Sequence, residues 1–151
     1  MNTPQELYAA VKPDLGALAG PLFELSQRRL RERGNFLPCA AVLTTDGRVA
    51  LLDAMCSTPD GFANSEHILP MLRDGLRSMA GERDLKALGI VEIVASIPDG
   101  EETRAIKVLL EHKVGLTLVL YLPVSQGDVG EYQFGKIVTY FTEPEIRAWI
   151  P

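Results

Sequence analysis

Both histidines of the chain follow a glutamate, as Glu66-His67 and Glu111-His112, and its two cysteines, Cys39 and Cys56, stand apart from those pairs. Imidazole beside carboxylate is the pairing that zinc sites and general acid–base catalysis use, provided that several such groups converge. The second pair lies inside "RAIKVLLEHKVGLTLVLYLP", Arg104 to Pro123, which reads as a hairpin. Neighbouring residues of a strand point to opposite faces, so Glu111 and His112 cannot hold one ion or relay one proton without a bulge. Glu66-His67 falls in the first turn of a helix, where the dipole favours the glutamate. No helical i,i+4 spacing joins the histidines into a metal pair. The expectation is no metal and no cofactor.

Asp53 is the most informative polar residue. In "NFLPCAAVLTTDGRVALLDAM", a three-residue turn at Thr45-Asp46-Gly47 sets Thr44 opposite Arg48 and therefore Cys39 opposite Asp53. Asp53 then shares a face with Leu37, Cys39, Ala41, Leu43, Val49 and Leu51. A carboxylate buried there would titrate high and could serve as acid or base beside the Cys39 thiol. Otherwise strand pairing ends at Asp53 and it reaches water. Cys39 and Asp53, together with His67 and His112, form the alternative polar site of a small-molecule or metal-binding sensor or enzyme. A cysteine nucleophile also wants a base and an electropositive setting, and none is visible. Cys56 projects from the opposite face, which argues against a bond to Cys39.

Other catalytic signatures are missing. The sequence contains no G-x-x-x-x-G-K-[ST], G-x-S-x-G, H-E-x-x-H or EF-hand loop. "GDVGEYQFG" lacks the strand–glycine–helix setting of a dinucleotide loop and reads as a loop feeding a last strand. Arg28, Arg29, Arg31 and Arg33 gather in the last turns of a helix, where they complement its dipole and stay solvated. No catalytic residues are assigned, and the balance leans away from an enzyme.

These residues need elements to carry them. "TPQEL" opens a short first helix, with Thr3 as N-cap, Pro4 at the first position and Glu6 reaching back. Pro13 is expected to end it. Pro21 to Arg33 is read as the next helix, closed by Gly34, with Leu22, Phe23, Leu25 and Leu30 on its apolar side. After "STPDGFA", a second principal helix runs from about Ser65 to Glu82, with Ile68, Leu72, Leu76 and Met79 buried and Arg73, Asp74 and Arg77 facing water. Pro70 could delay its start. "LKALGIVEIVASI" is a strand, "PDGEE" a turn, and Lys113-Val114-Gly115 a hairpin turn that sets His112 opposite Leu116. The even residues from Ile106 to Leu122 are the core face, which His112 ends near water. "EYQFGKIVTYF" is one final long strand.

The expected fold is a single α+β domain over 1–151. It has a mainly antiparallel sheet of five to six strands and two principal helices, in the order α-β-β-α-β-β-β-β, with the helices on one face. That order resembles the profilin-like and roadblock-like arrangement of a sheet flanked by helices, a likeness of architecture without functional content.

Composition narrows the function further. The chain has 151 residues, 46% hydrophobic and 23% charged, with a formal net charge of -5. This is globular composition, and its acidity weighs against nucleic acid or an anionic membrane as partner. No apolar run approaches the roughly 18 residues of a membrane span, and the start lacks a signal-like basic and apolar stretch. A cytoplasmic setting is expected.

One surface asks for a cover. Ala105, Leu109, Val119 and Tyr121, with Lys107, Glu111 and Thr117 between them, make the odd face of the second hairpin more apolar than a solvated face should be. Helices could cover it, or a second subunit could, and two-fold homodimers are the commonest oligomer. The reading is a non-catalytic binding or interaction domain that self-associates or takes a protein partner, with that face as its candidate surface.

Overall fold

The computed structural model describes residues 3–53, 65–98 and 104–149. Cys56 and the Asp-Gly turns at 60–61 and 99–100 lie outside them. Two helices and seven strands follow in the order α1 (Pro4–Arg33), β1 (Cys39–Thr44), β2 (Val49–Asp53), α2 (Ser65–Glu82), β3 (Leu85–Val94), β4 (Ala105–His112), β5 (Leu116–Gln126), β6 (Tyr132–Phe134) and β7 (Val138–Phe141). All pairings are antiparallel, in the spatial order β2-β1-β3-β4-β5, with β6 and β7 both against β5. The expected α+β class and element order are present.

The first helix corrects the sequence reading, because it runs unbroken for 30 residues with Pro13 and Pro21 inside it. Each interior proline costs about 3 kcal/mol of helix propensity. Against this, Val11, Leu15, Leu18, Leu22, Leu25 and Leu30 are buried, and each such side chain contributes roughly 2 kcal/mol. From Val11 to Leu25 their spacing of three and four continues through both prolines, so packing against the sheet overrides the local preference. Thr3 caps the start by accepting the N–H of Glu6, and Gly34, at φ 75°, closes the end.

Both hairpins have the expected registers. Cys39 pairs with Asp53 and His112 with Leu116. Gly47 and Gly115 take φ values of 91° and 97°, the left-handed conformation that each three-residue turn needs.

The helices lie on opposite faces of the sheet, not on one. α1 packs on Ala41, Leu43, Val91, Val108, Leu110 and Leu118. α2 packs through Ile68, Leu72 and Leu76 on Ala40, Val42, Leu88, Ile90 and Leu109. Period-two alternation gives each strand one row for each helix, and this explains why β4 is apolar on both faces. α2 begins at Ser65 with Pro70 retained inside it.

The final strand is two strands. β6 meets Val124 to Gln126 and β7 meets Leu118 to Tyr121, so the break falls opposite Pro123. By the alternation of the β4–β5 ladder, odd residues of β5 turn their polar backbone groups toward this side, and Thr117 accordingly accepts the N–H of Thr142. Pro123 has no N–H to offer there. Gly135 passes against its ring and donates to its carbonyl instead.

Candidate functional site

Glu111 and His112 do separate work on separate faces. Glu111 is 3% exposed and points to the α2 side. Its Oε2 accepts the backbone N–H of Glu145 at 2.9 Å and of Ile146 at 2.5 Å, and its Oε1 accepts that of Arg147 at 3.0 Å. Three successive N–H groups converge because Arg147 adopts φ 60°, which bends the segment into a concave anion cradle. The carboxylate of the protein itself fills that cradle. Arg77 fixes the same turn from α2, its Nε donating to the Ile146 carbonyl at 2.6 Å.

His112 points to the α1 side. It is buried at the hairpin tip instead of meeting water there. Val114 donates its N–H to Nδ1 at 3.1 Å, so the ring proton sits on Nε2 and is donated to Asp14 Oδ2 at 2.9 Å. Lys86 Nζ holds the other Asp14 oxygen at 3.1 Å. The His112 bond, followed by Lys86, holds the Asp14 carboxyl below its ordinary range against the opposing effect of burial. The geometry is that of an orienting Asp–His pair, but both ring nitrogens are occupied. A cleft of about 140 Å³ opens between this tip and Pro144 and Trp149. Glu111 and His112 border it with their polar atoms already bound elsewhere.

The other sequence candidates do not gather around either group. Cys39 is buried in the α1-side core. Asp53 is its ladder partner and His67 lies in the first turn of α2, but their side chains are outside the described set. Among the described residues, no three His, Cys, Asp or Glu side chains come together. Arg28, Arg31 and Arg33 are exposed, and Arg31 stacks over Phe134 at 5.2 Å.

The apolar odd face of the second hairpin is covered from within the chain. Ala105, Leu109, Val119 and Tyr121 are at most 7% exposed, and Thr117 is 6% exposed. α2 and Ile146 lie over this layer. A partner therefore has no access to that surface as folded. Beneath α2, a polar row missed by the sequence reading crosses three strands, with Glu92 opposite Lys107 and Lys107 opposite Tyr121. Lys107 also reaches Glu145 at 3.8 Å. Burial pushes the Glu92 carboxyl up, and Lys107 and Arg73 offset only part of that cost. Arg73, expected in water, is half-buried, and its Nε has no hydrogen-bond partner. The one-residue alternation of "IVEIV" and "AIKVL" carries the signal for this row.

Among the described residues the sheet is open at two edges, β2 on one side and β6 and β7, each paired only with β5, on the other, and the β2 edge is the one that borders a groove against α1. β2 pairs with β1 on one side, and among the described residues no strand takes its other side. Thr44 donates its N–H to Arg48 O, which marks that pair as hydrogen-bonded. By ladder alternation Val49, Leu51 and Asp53 turn their backbone N–H and C=O groups outward. Val49 and Leu51 are also 37% and 47% exposed. A groove of about 200 Å³ separates Leu51 from Pro21, Glu24, Leu25 and Arg28 of α1. "VALLD" lacks the lysine, proline or bulge that usually blunts an exposed edge.

Comparison with family models, curated proteins and solved structures gives no match. No helix among the described residues is long and apolar enough to cross a bilayer.

Proposed function

We propose that the chain is a non-catalytic interaction domain that self-associates through the β2 edge of its sheet. The observation that carries this reading is β2. It joins outward-facing backbone donors and acceptors to an exposed Val49–Leu51 pair, and strand addition at such an edge is a general mode of protein recognition. The odd face of the second hairpin, covered by α2 and Ile146, takes no part in it. The polar groups best suited to chemistry support the same reading, since Glu111 and His112 are engaged in holding the C-terminal turn and α1. The cytoplasmic setting rests on the sequence reading alone.

Sedimentation velocity over a broad concentration series tests the proposal. The parent chain is expected to gain mass with concentration. Leu51→Lys, which puts a charge on the apolar edge without entering the core, is expected to remain monomeric with an unchanged far-UV spectrum. A parent that stays monomeric throughout would overturn the reading.

A further inference from the structure

Resting on that reading, we infer that the partner of β2 is the β2 of a second copy, in an antiparallel register with Ala50 on the two-fold axis. A two-fold axis perpendicular to a sheet continues each face into the same face of the partner, so paired residue numbers must add to an even value. Of the registers that pair outward groups with outward groups, the one centred on Ala50 has Val49 of one copy exchange backbone hydrogen bonds with Leu51 of the other, and it puts the smallest side chain of the strand at the close, non-hydrogen-bonded position on the axis. The Val49 and Leu51 side chains then lie on the α1 side, beside the grooves that Leu51 borders. Ala50, small and exposed on the other face, meets its own copy at the axis.

Charge on the groove wall fits the same symmetry. Glu24 and Arg28 stand four residues apart on α1 and border the groove with Leu51. A two-fold axis runs the two α1 helices in opposite senses, so Glu24 of each copy is set toward Arg28 of the other. One acid and one base thereby become two reciprocal pairs, the self-complementarity that an isologous interface requires. An unrelated strand could satisfy the backbone of β2, but it would have no reason to carry the inverse of this pattern.

Disulfide trapping tests the register. In antiparallel sheets, residues facing each other at a non-hydrogen-bonded position have Cα atoms about 4.5 Å apart, within reach of a disulfide. Ala50→Cys should therefore give a covalent dimer under mild oxidation that the parent, with its natural cysteines, does not give. Leu51→Cys should not, because the offset places its two copies beyond about 7 Å. Trapping by Leu51→Cys instead of Ala50→Cys would move the axis and overturn this register while leaving self-association standing. A parent that dimerises although neither variant is trapped would place the interface elsewhere and overturn the inference. A monomeric parent would remove the underlying proposal. Glu24→Arg and Arg28→Glu should each raise the dimer dissociation constant roughly tenfold, and the combined swap should restore it. Single and double variants that dimerise alike would overturn the helix pairing.

Discussion

The Glu111 carboxylate accepts the N–H of Ile146 at 2.5 Å across 35 residues of sequence, and it takes the flanking N–H groups of Glu145 and Arg147 as well. A buried charge satisfied by three backbone donors is strongly held. An amide in its place keeps one acceptor oxygen but loses the charge and turns an NH2 donor toward at least one of these N–H groups. Glu111→Gln should cost roughly 3 kcal/mol in urea denaturation. Amide exchange at residues 145–147 should accelerate well beyond that of the sheet. Unchanged exchange there would mean that the cradle is held by something else.

Asp14 gives the acid side of the stability curve a specific contribution. Its folded pKa is lowered, first by the His112 bond. The associated stability is therefore present above the unfolded value of about 3.9 and is lost as pH falls through the lower folded value. Melting temperature measured down the acid limb should drop more gently in Asp14→Asn than in the parent. Parallel curves would contradict the assignment.

Glu92 acts with the opposite sign. Burial raises its folded pKa, so its favourable contribution is full below the unfolded value of about 4.3 and is lost as pH rises through the folded value. Glu92→Gln should melt above the parent at pH 7, and the difference should close toward pH 4. A variant less stable at neutral pH would show that pairing with Lys107 outweighs desolvation.

Gly89 lies where Leu22 of α1 packs closely on the sheet. A Cβ there would lie 2.8 Å from Leu110 Cδ2, 3.1 Å from the Leu109 carbonyl and 3.2 Å from Leu22 Cδ1. The Leu109 carbonyl belongs to the ladder and cannot easily yield. Gly89→Ala should cost about 1–3 kcal/mol in chemical denaturation. A neutral substitution would mean that the helix rides higher than described.

The legible parts of the sequence were those fixed by short-range geometry. Thr45-Asp46-Gly47 and Lys113-Val114-Gly115 each determined a turn, and each turn determined every pair beyond it, including Cys39 with Asp53. The stripe of α2 was equally plain, because Ile68, Leu72 and Leu76 recur at one period. The misreadings came where distant packing overruled a local rule. Pro13 and Pro21 normally end helices, yet an unbroken stripe from Val11 to Leu25 holds α1 together. The break after Phe134 traces to Pro123, a residue of another strand.

As for the site, alternation alone placed Glu111 and His112 on opposite faces. Their partners Asp14 and Ile146 were invisible, because nothing in the local sequence reports what crosses the sheet. The β2 edge was overlooked for a related reason. "VALLD" reads as an interior strand, and only the strand order shows that one of its sides is open.

His112 and Glu111 tie opposite ends of the chain to the β4–β5 hairpin, α1 through Asp14 and the final turn through Ile146. α1 is synthesised before the strands it covers, and its leucine stripe finds Val108, Leu110 and Leu118 only once the second hairpin has been made. A nascent chain therefore carries an uncovered leucine stripe until that point, and chaperone demand should fall abruptly once the second hairpin emerges.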